Sequence, residues 1–165
     1  MAGYQLTHNV DMVFCIDSTG SMRHVLDFVK QNALNLYQDI TREMEKKHKT
    51  IHQLRVKVIA FRDYIADGEE AMLSSDFFTL PEQAEMLRDC VEGIHAKGGG
   101  DIPEDGLEAL AYAIRSDWTR EGVKKRHIIV VWSDAPTHEL GHGKIAPWYP
   151  EGMAQDFDEL TLWWE

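Results

Sequence analysis

The stretch VDMVFCIDSTGSM, residues 10–22, limits most narrowly what this chain can fold into. An apolar run from Val10 to Ile16 stops at Asp17, and a serine, a threonine, a glycine and a second serine follow. From Met22 onward, Val25, Leu26, Val29, Leu36, Tyr37, Ile40 and Met44 recur at helical spacing to about Lys47. An apolar run bounded by turn residues and followed by an amphipathic helix reads as a buried strand of an α/β sheet. The polar cluster then occupies the loop at the carboxyl end of a central strand, where open α/β sheets bind ligands.

The rest of the chain repeats this logic. Residues 8–17 form the first expected strand, and residues 54–61 the second, alternating at first and apolar on both sides by Ile59-Ala60-Phe61. The second strand exits into Arg62-Asp63-Tyr64; residues 65–75 read as a loop, with Asp67-Gly68 as a turn signal, and residues 77–80 as a short edge strand. Thr79 and Glu82 have capping-box spacing, with Pro81 early in a helix that buries Ala84, Leu87, Val91 and Ile94. Lys97-Gly98-Gly99-Gly100-Asp101 is a loop that delivers a carboxylate, and Pro103 opens a helix whose inward face is Leu107, Leu110, Ala111 and Ile114. The continuous apolar run HIIVVW, residues 127–132, predicts a central strand ending in Ser133-Asp134-Ala135-Pro136. A Gly/Pro-rich loop then precedes a helix-like piece, Phe157 to Trp164. This order argues for a single α/β domain over residues 1–165, with a doubly wound, mostly parallel sheet covered by helices on both faces.

A formal charge of −11 argues against a nucleic-acid backbone as partner and for a divalent cation or a basic surface. Cys15 and Cys90 read as small core residues, and no disulfide framework is suggested. The start MAGYQLTHN lacks a basic region followed by an apolar one, and no apolar run approaches the roughly 20 residues of a membrane helix. A reducing, cytoplasmic setting with no membrane contact is the expectation.

Asp17, Thr19 and Ser21 offer a carboxylate and two hydroxyls at alternate positions of one turn; Asp134 closes another apolar strand, and Asp101 follows three glycines ahead of a helix. With the strands parallel and adjacent, all three loops open at one edge of the sheet. Three converging carboxylates repel one another unless a cation sits among them. Donors that are all hard oxygens select Mg²⁺, or Mn²⁺ or Ca²⁺ less strictly, and not zinc. Taken singly, each segment also suits a helix cap or a plain turn.

At these residues the chain resembles von Willebrand factor A (vWA) domains with a metal-ion-dependent adhesion site (MIDAS). Asp17, Thr19 and Ser21 match that family's Asp-x-Ser/Thr-x-Ser loop, Asp101 falls where a second loop supplies one oxygen, and Asp134 matches the aspartate of the third loop. Ala60 to Tyr64, AFRDY, is a further phrase carried by members of this kind, so the likeness spans about Asn9 to Pro136. The resemblance implies a vWA/Rossmann-like fold and Mg²⁺ held by Asp17, Thr19, Ser21, Asp101 and Asp134. It also implies a partner protein whose Glu or Asp completes the metal's shell. The module is then a scaffold or regulatory subunit and not an enzyme. Asp101 replaces the family's usual threonine; the extra negative charge either tightens cation binding or repels an incoming carboxylate. The family usually adds a further strand beyond Trp163-Trp164, so either the chain is a C-terminally truncated piece or the sheet lacks its last strand.

One string competes. His138-Glu139-Leu140-Gly141-His142 spells the HExxH of zinc peptidases, whose two histidines share a helix face while the glutamate activates water. Gly141, Gly143 and Pro147 disfavour a helix there, so a surface loop beside the oxygen cluster is the simpler expectation. A zinc-dependent hydrolase using His138, Glu139 and His142 is the alternative function, and a metal-free structural module a third. Arg62 and Asp63 read as an ion pair at the rim, and Trp163-Trp164 as cover for a core.

Overall fold

The computed structural model describes residues 6–98, 105–122, 124–134 and 136–165. In chain order these form β1 (Leu6–Asp17), a 3₁₀ turn (Gly20–Met22), α1 (Leu26–Lys46), β2 (Lys49–Phe61), α2 (Tyr64–Asp67), a second 3₁₀ turn (Gly68–Ala71), β3 (Met72–Ser74), β4 (Phe78–Leu80), α3 (Ala84–Glu92), α4 (Gly106–Ile114), β5 (Lys125–Trp132) and α5 (Phe157–Trp164). The strand order is β3-β2-β1-β5, with β4 also on β2. β1 pairs in parallel with both β2 and β5, while β3 and β4 pair antiparallel to β2. The result is a mixed α/β fold around a mostly parallel sheet flanked by helices.

From Val10 to Ile16, β1 is apolar at every position but Asp11, because both of its faces are covered. Val10, Met12, Phe14 and Ile16 pack with Leu26, Val29 and Ala33 of α1 and with Leu87 and Val91 of α3. Val13 and Cys15 point the other way, against Ala109 and Ala113 of α4 and against Trp118. Each fully buried side chain of this size contributes roughly 1.5–3 kcal/mol. The alanines on α4 let that helix approach the sheet closely.

Three expectations need correction. HIIVVW was expected at the centre of the sheet, but among the described residues β5 pairs on one side only, with β1, and Val131 is 47% exposed. An apolar run records that a strand is covered, and it does not record on which side a neighbouring strand lies. The expected loop at 65–75 contains α2 and β3; β3 is three residues long and is defined by its bonds to β2, not by its own composition. β2 begins at Lys49, directly after the expected end of the first helix near Lys47 and ahead of the strand expected from residue 54. His48 takes φ 58° there, which ends the helix and turns the chain directly into the strand. Among the described residues no helix is long and apolar enough to cross a membrane.

One charge sits inside the apolar run. Asp11 is buried and receives Arg55 in a two-pronged contact, Nε to Oδ1 at 2.9 Å and Nη2 to Oδ2 at 2.8 Å. Thr119 adds its backbone N–H to Oδ2 at 2.6 Å and its hydroxyl to Oδ1 at 3.2 Å. Burial alone raises the Asp11 pKa, but the donors of Arg55 and Thr119 outweigh it and hold the carboxyl below its usual range. A depressed carboxyl contributes stability above its unfolded pKa and loses it as pH falls through the folded value. Arg55→Ala is therefore expected to cost about 3 kcal/mol in urea unfolding at pH 7, with the deficit shrinking in acid as Asp11 takes up a proton. A deficit that is the same at pH 7 and in acid would refute this assignment.

Candidate functional site

The parallel strands finish level with one another: Asp17 is in register with Phe61, and Ile16 with Trp132. Whatever follows each strand is delivered to one place. Asp17 Oδ1 accepts the Thr19 N–H at 3.0 Å and the Thr19 hydroxyl at 2.7 Å, which folds the loop back on the strand end. Its other oxygen accepts the Ser133 hydroxyl from the end of β5 at 2.9 Å. Thr19 Oγ1 and Ser21 Oγ lie 3.1 Å apart, and Ser21 Oγ lies 3.2 Å from Asp134 Oδ1. Asp17, Thr19, Ser21 and Asp134 thus come together in one chain of oxygens. Its floor, Asp17 and Thr19, is buried, and its mouth, Ser21 and Asp134, is open to solvent.

The chain of oxygens is short of protons. Three oxygen–oxygen contacts link the four side chains, yet only the Thr19 and Ser21 hydroxyls carry a proton to place between them. With the Thr19 proton on Asp17, the Ser21 proton serves either Thr19 or Asp134. Two carboxylates, two hydroxyls and no nitrogen or sulfur fit a hard cation. Among the described residues no group of three or more His, Cys, Asp or Glu side chains could hold a metal ion; this cluster contributes only Asp17 and Asp134 to such a set. Asp101, the third carboxylate expected here, lies outside the described residues. The chain before it is fastened to the first loop, with Lys97 N–H donating to Ser18 O at 3.1 Å and Gly20 N–H donating to Gly98 O at 3.0 Å. Gly98 has φ 68°, and any side chain there would collide with the Asp67 carboxylate.

Arg62 holds this edge together, a role the sequence reading missed. The expected ion pair with Asp63 is not what forms. The buried Arg62 guanidinium donates to three carbonyls: Ser18 at 3.1 Å, Glu70 at 2.8 Å and His95 at 2.7 Å. Its own carbonyl receives the Asp105 N–H at 3.1 Å. Burial pulls the Arg62 pKa down, and the carboxylates of Asp67, Glu70 and Asp17 oppose the fall. One side chain thus joins the first loop, the turn after α2 and the segment leading to Asp101. Asp63 instead caps α2, accepting the N–H groups of Ile65 at 2.8 Å and Ala66 at 3.0 Å.

The HELGH string is not a helix; Glu139 and His142 lie at the surface as a loop's residues do, whereas His138 turns inward. Residues 140–143 form turns. His138 is buried, and its Nε2 shares a 3.0 Å hydrogen bond with Asp63 Oδ2. The rings of His138 and His142 stack at 3.7 Å between centroids, with 11° between planes. A ring nitrogen binds a metal through a lone pair in the ring plane, so two nearly parallel, stacked rings do not converge on one ion. In this arrangement the pair lacks the geometry of a zinc peptidase. Glycine is required here too: a Cβ at Gly143 would stand 2.8 Å from the Tyr64 Cβ.

Behind this loop lie two fully buried carboxyls, Asp105 at the start of α4 and Glu108 in its first turn. Asp105 Oδ2 accepts the Tyr64 N–H at 2.6 Å, and Glu108 Oε1 accepts the Gly141 N–H at 3.4 Å. Burial, and then repulsion from Asp105, push the Glu108 pKa up to about 8.

No protein-family model matches the chain. It is 27% identical over 138 residues to an ariadne-like RING finger protein of Acanthamoeba polyphaga mimivirus. It is 25% identical over 143 residues to the alpha-protein kinase vwkA of Dictyostelium discoideum. These matches cover 82% and 87% of this chain but only 12% and 21% of the relatives' own lengths. The pilus adhesin SpaC of Lactobacillus rhamnosus GG in its open conformation aligns over 73% of this chain and 14% of its own, at 21% identity and a TM-score of 0.48. A second form of the same adhesin gives a TM-score of 0.49 at 19% identity, over 73% of this chain and 15% of its own.

Two outcomes follow from this geometry. Arg62→Met keeps the side chain's length but strands three carbonyls, and is expected to destabilise the fold by about 3 kcal/mol or more; a loss under about 1 kcal/mol in denaturant titration would remove Arg62 from its linking role. For Glu108, the folded pKa lies above the ordinary 4.5, so the folded state holds a proton that the unfolded chain has released. Stability in chelator-treated protein should then fall as pH rises from 4.5 toward 8 and level off above that. Glu108→Gln should flatten this part of the melting-temperature profile and raise the melting temperature at pH 8. An unchanged profile would contradict it.

Proposed function

We propose that this chain is a vWA-type, Mg²⁺-dependent protein-binding module. Asp17, Thr19, Ser21 and Asp134, with Asp101, hold the cation directly or through water. The observation that carries this reading is the proton-deficient chain of oxygens from Asp17 to Asp134, buried at its floor and open at its mouth. A hard cation satisfies all of those oxygens at once and leaves a coordination position facing solvent. When bound, it supplies a Lewis-acidic point for a carboxylate from outside. The chain's own residues do the rest: Asp17 and Ser133 tie β1 to β5, Thr19 shapes the loop, and Ser21 and Asp134 present the open side. The favoured occupant of that side is a Glu or Asp of a partner protein. The partner's residue has to overcome the chain's net negative charge, which makes the cation the deciding attraction.

A similar segment in two long proteins of different names, a RING finger protein and a protein kinase, supports reading it as a recognition module carried by larger proteins. The role is then to bind, as a scaffold or regulatory part, and not to catalyse. With both cysteines free, a cytoplasmic setting is part of this proposal.

The test is calorimetric titration of chelator-treated protein with Mg²⁺ and with Mn²⁺. Asp17→Ala and Asp134→Ala are each expected to weaken one equivalent of binding by no less than the roughly 10–100-fold typical of lost outer-shell contacts. Binding that is unchanged in both variants would end the reading, and a folded wild type that binds neither ion would leave the metal-free structural module in its place.

A further inference from the structure

The treatment of buried carboxylates in this protein is uneven, and the exception marks a site. Asp11 is met by the guanidinium of Arg55 and two donors of Thr119. Asp17 accepts two donors from Thr19 and one from Ser133. Asp105 and Glu108 are equally buried, yet Asp105 Oδ1 and Glu108 Oε2 have no hydrogen-bond partner. Each has only its second oxygen engaged, and the bond to Glu108 is long at 3.4 Å. The basic groups in reach of Asp105 are the imidazoles of His138 and His142, and His138 is already engaged by Asp63.

Two phenols complete the picture. The hydroxyl oxygens of Tyr64 and Tyr149 are also buried, with Tyr112 and the Gly141 amide as their polar neighbours, and their rings pack edge to face at 5.1 Å. Tyr149 lies beside the Gly141 amide that reaches Glu108, and it feels the charges of Glu108 and Asp105. Tyr64 feels the same two carboxyls and lies next to Tyr112. Two unpartnered carboxyl oxygens and two buried phenol oxygens therefore gather between the first turn of α4, the start of α2 and the loop from Gly141 to Tyr149. An unsatisfied buried polar atom costs roughly 1–3 kcal/mol, and native proteins rarely leave several side by side. What is missing is positive charge.

We propose that Asp105 and Glu108, with the hydroxyls of Tyr64 and Tyr149, form a second site for a hard divalent cation, Ca²⁺ or Mg²⁺, separate from the Asp17 cluster. An all-oxygen donor set with two carboxylates selects that class, and water completes the shell. Burial, and then the neighbouring Asp105, push Glu108 upward, in keeping with two carboxyls that lack a counter-charge. The cation ties the loop bearing His138 and Tyr149 to α4 and so fixes the chain that leaves Asp134. The inference does not depend on the reading of the Asp17 cluster.

The test uses Ca²⁺ alone, and separately Mg²⁺ alone, titrated into chelator-treated Asp17→Ala protein, which lacks the first site. One equivalent per chain should bind and raise the melting temperature, and Asp17→Ala/Glu108→Gln should bind none and show no rise. No binding in Asp17→Ala, or undiminished binding in the double variant, overturns the proposal; the four oxygens are then served by water. Should Asp17→Ala fail to fold, wild type is compared with Glu108→Gln and Asp105→Asn, each of which must lose one equivalent. A wild type that binds one ion, lost in Glu108→Gln and kept in Asp134→Ala, upholds this site while refuting the Asp17 cluster.

Discussion

Everything at the functional edge depends on the register of β1 between its two parallel neighbours. A one-residue slip in a strand would turn its side chains over to the opposite face. β1 cannot slip, because Val10, Met12, Phe14 and Ile16 are locked against α1 and α3 while Val13 and Cys15 are locked against α4 and Trp118. The consequence is positional. Asp17 ends level with Phe61, and Ile16 with Trp132, so Ser18–Ser21, Arg62–Tyr64 and Ser133–Asp134 emerge side by side. Apolar packing of no chemical specificity thereby places polar groups to within hydrogen-bonding distance.

Packing fixes where the loops start, and a single cation of the chain's own fixes where they go. The Arg62 guanidinium is spent on backbone carbonyls of Ser18, Glu70 and His95, leaving no carboxylate neutralised outright. Its fork of donors suits this use, since a lysine would offer a single point in place of three directed bonds. The carboxylates of Asp67, Glu70 and Asp17 lie near enough to favour its positive charge against the cost of burial. An edge that gathers acidic side chains is thus stabilised from beneath by a buried positive group that does not compete for their outward-facing oxygens.

The sequence carries this information unevenly. The run from Val10 to Ile16, the helix after it and the carboxyl-end position of Asp17 were all legible, because burial on two faces and helical spacing leave direct marks in composition. Asp134 was legible for the same reason. The edge position of β5 was not, since apolar residues report cover and say nothing of neighbours. β3 was hidden because its strand state comes from pairing with Ile59–Phe61 and not from its own residues. Arg62 and Asp63 look like an ion pair because they are adjacent, but Arg62 reaches the carbonyls of Ser18, Glu70 and His95, while Asp63 turns to the N–H groups of Ile65 and Ala66 and to His138. His138 looked exposed for want of an apolar helical pattern around it, whereas Gly143 allows its loop to press directly onto Tyr64.

The same contrast separates two kinds of buried acid. Asp11 interrupts an apolar strand, yet it is fully compensated, and its charge links β1 to Arg55 of β2 and to Thr119 before β5. It is a structural device, stable because its donors outnumber what burial takes away. Asp105 and Glu108 have no such support, and nothing in their helical spacing announces it: Glu108 sits in GLEAL, where an exposed glutamate in a first turn would be ordinary. Their burial becomes visible only once the loop from Gly141 to Tyr149 is seen to close over them. A fold that satisfies one buried carboxylate with four donor contacts and leaves two others half-satisfied is not poorly built at the second place. It is more economically understood as built around a group that the polypeptide itself does not supply.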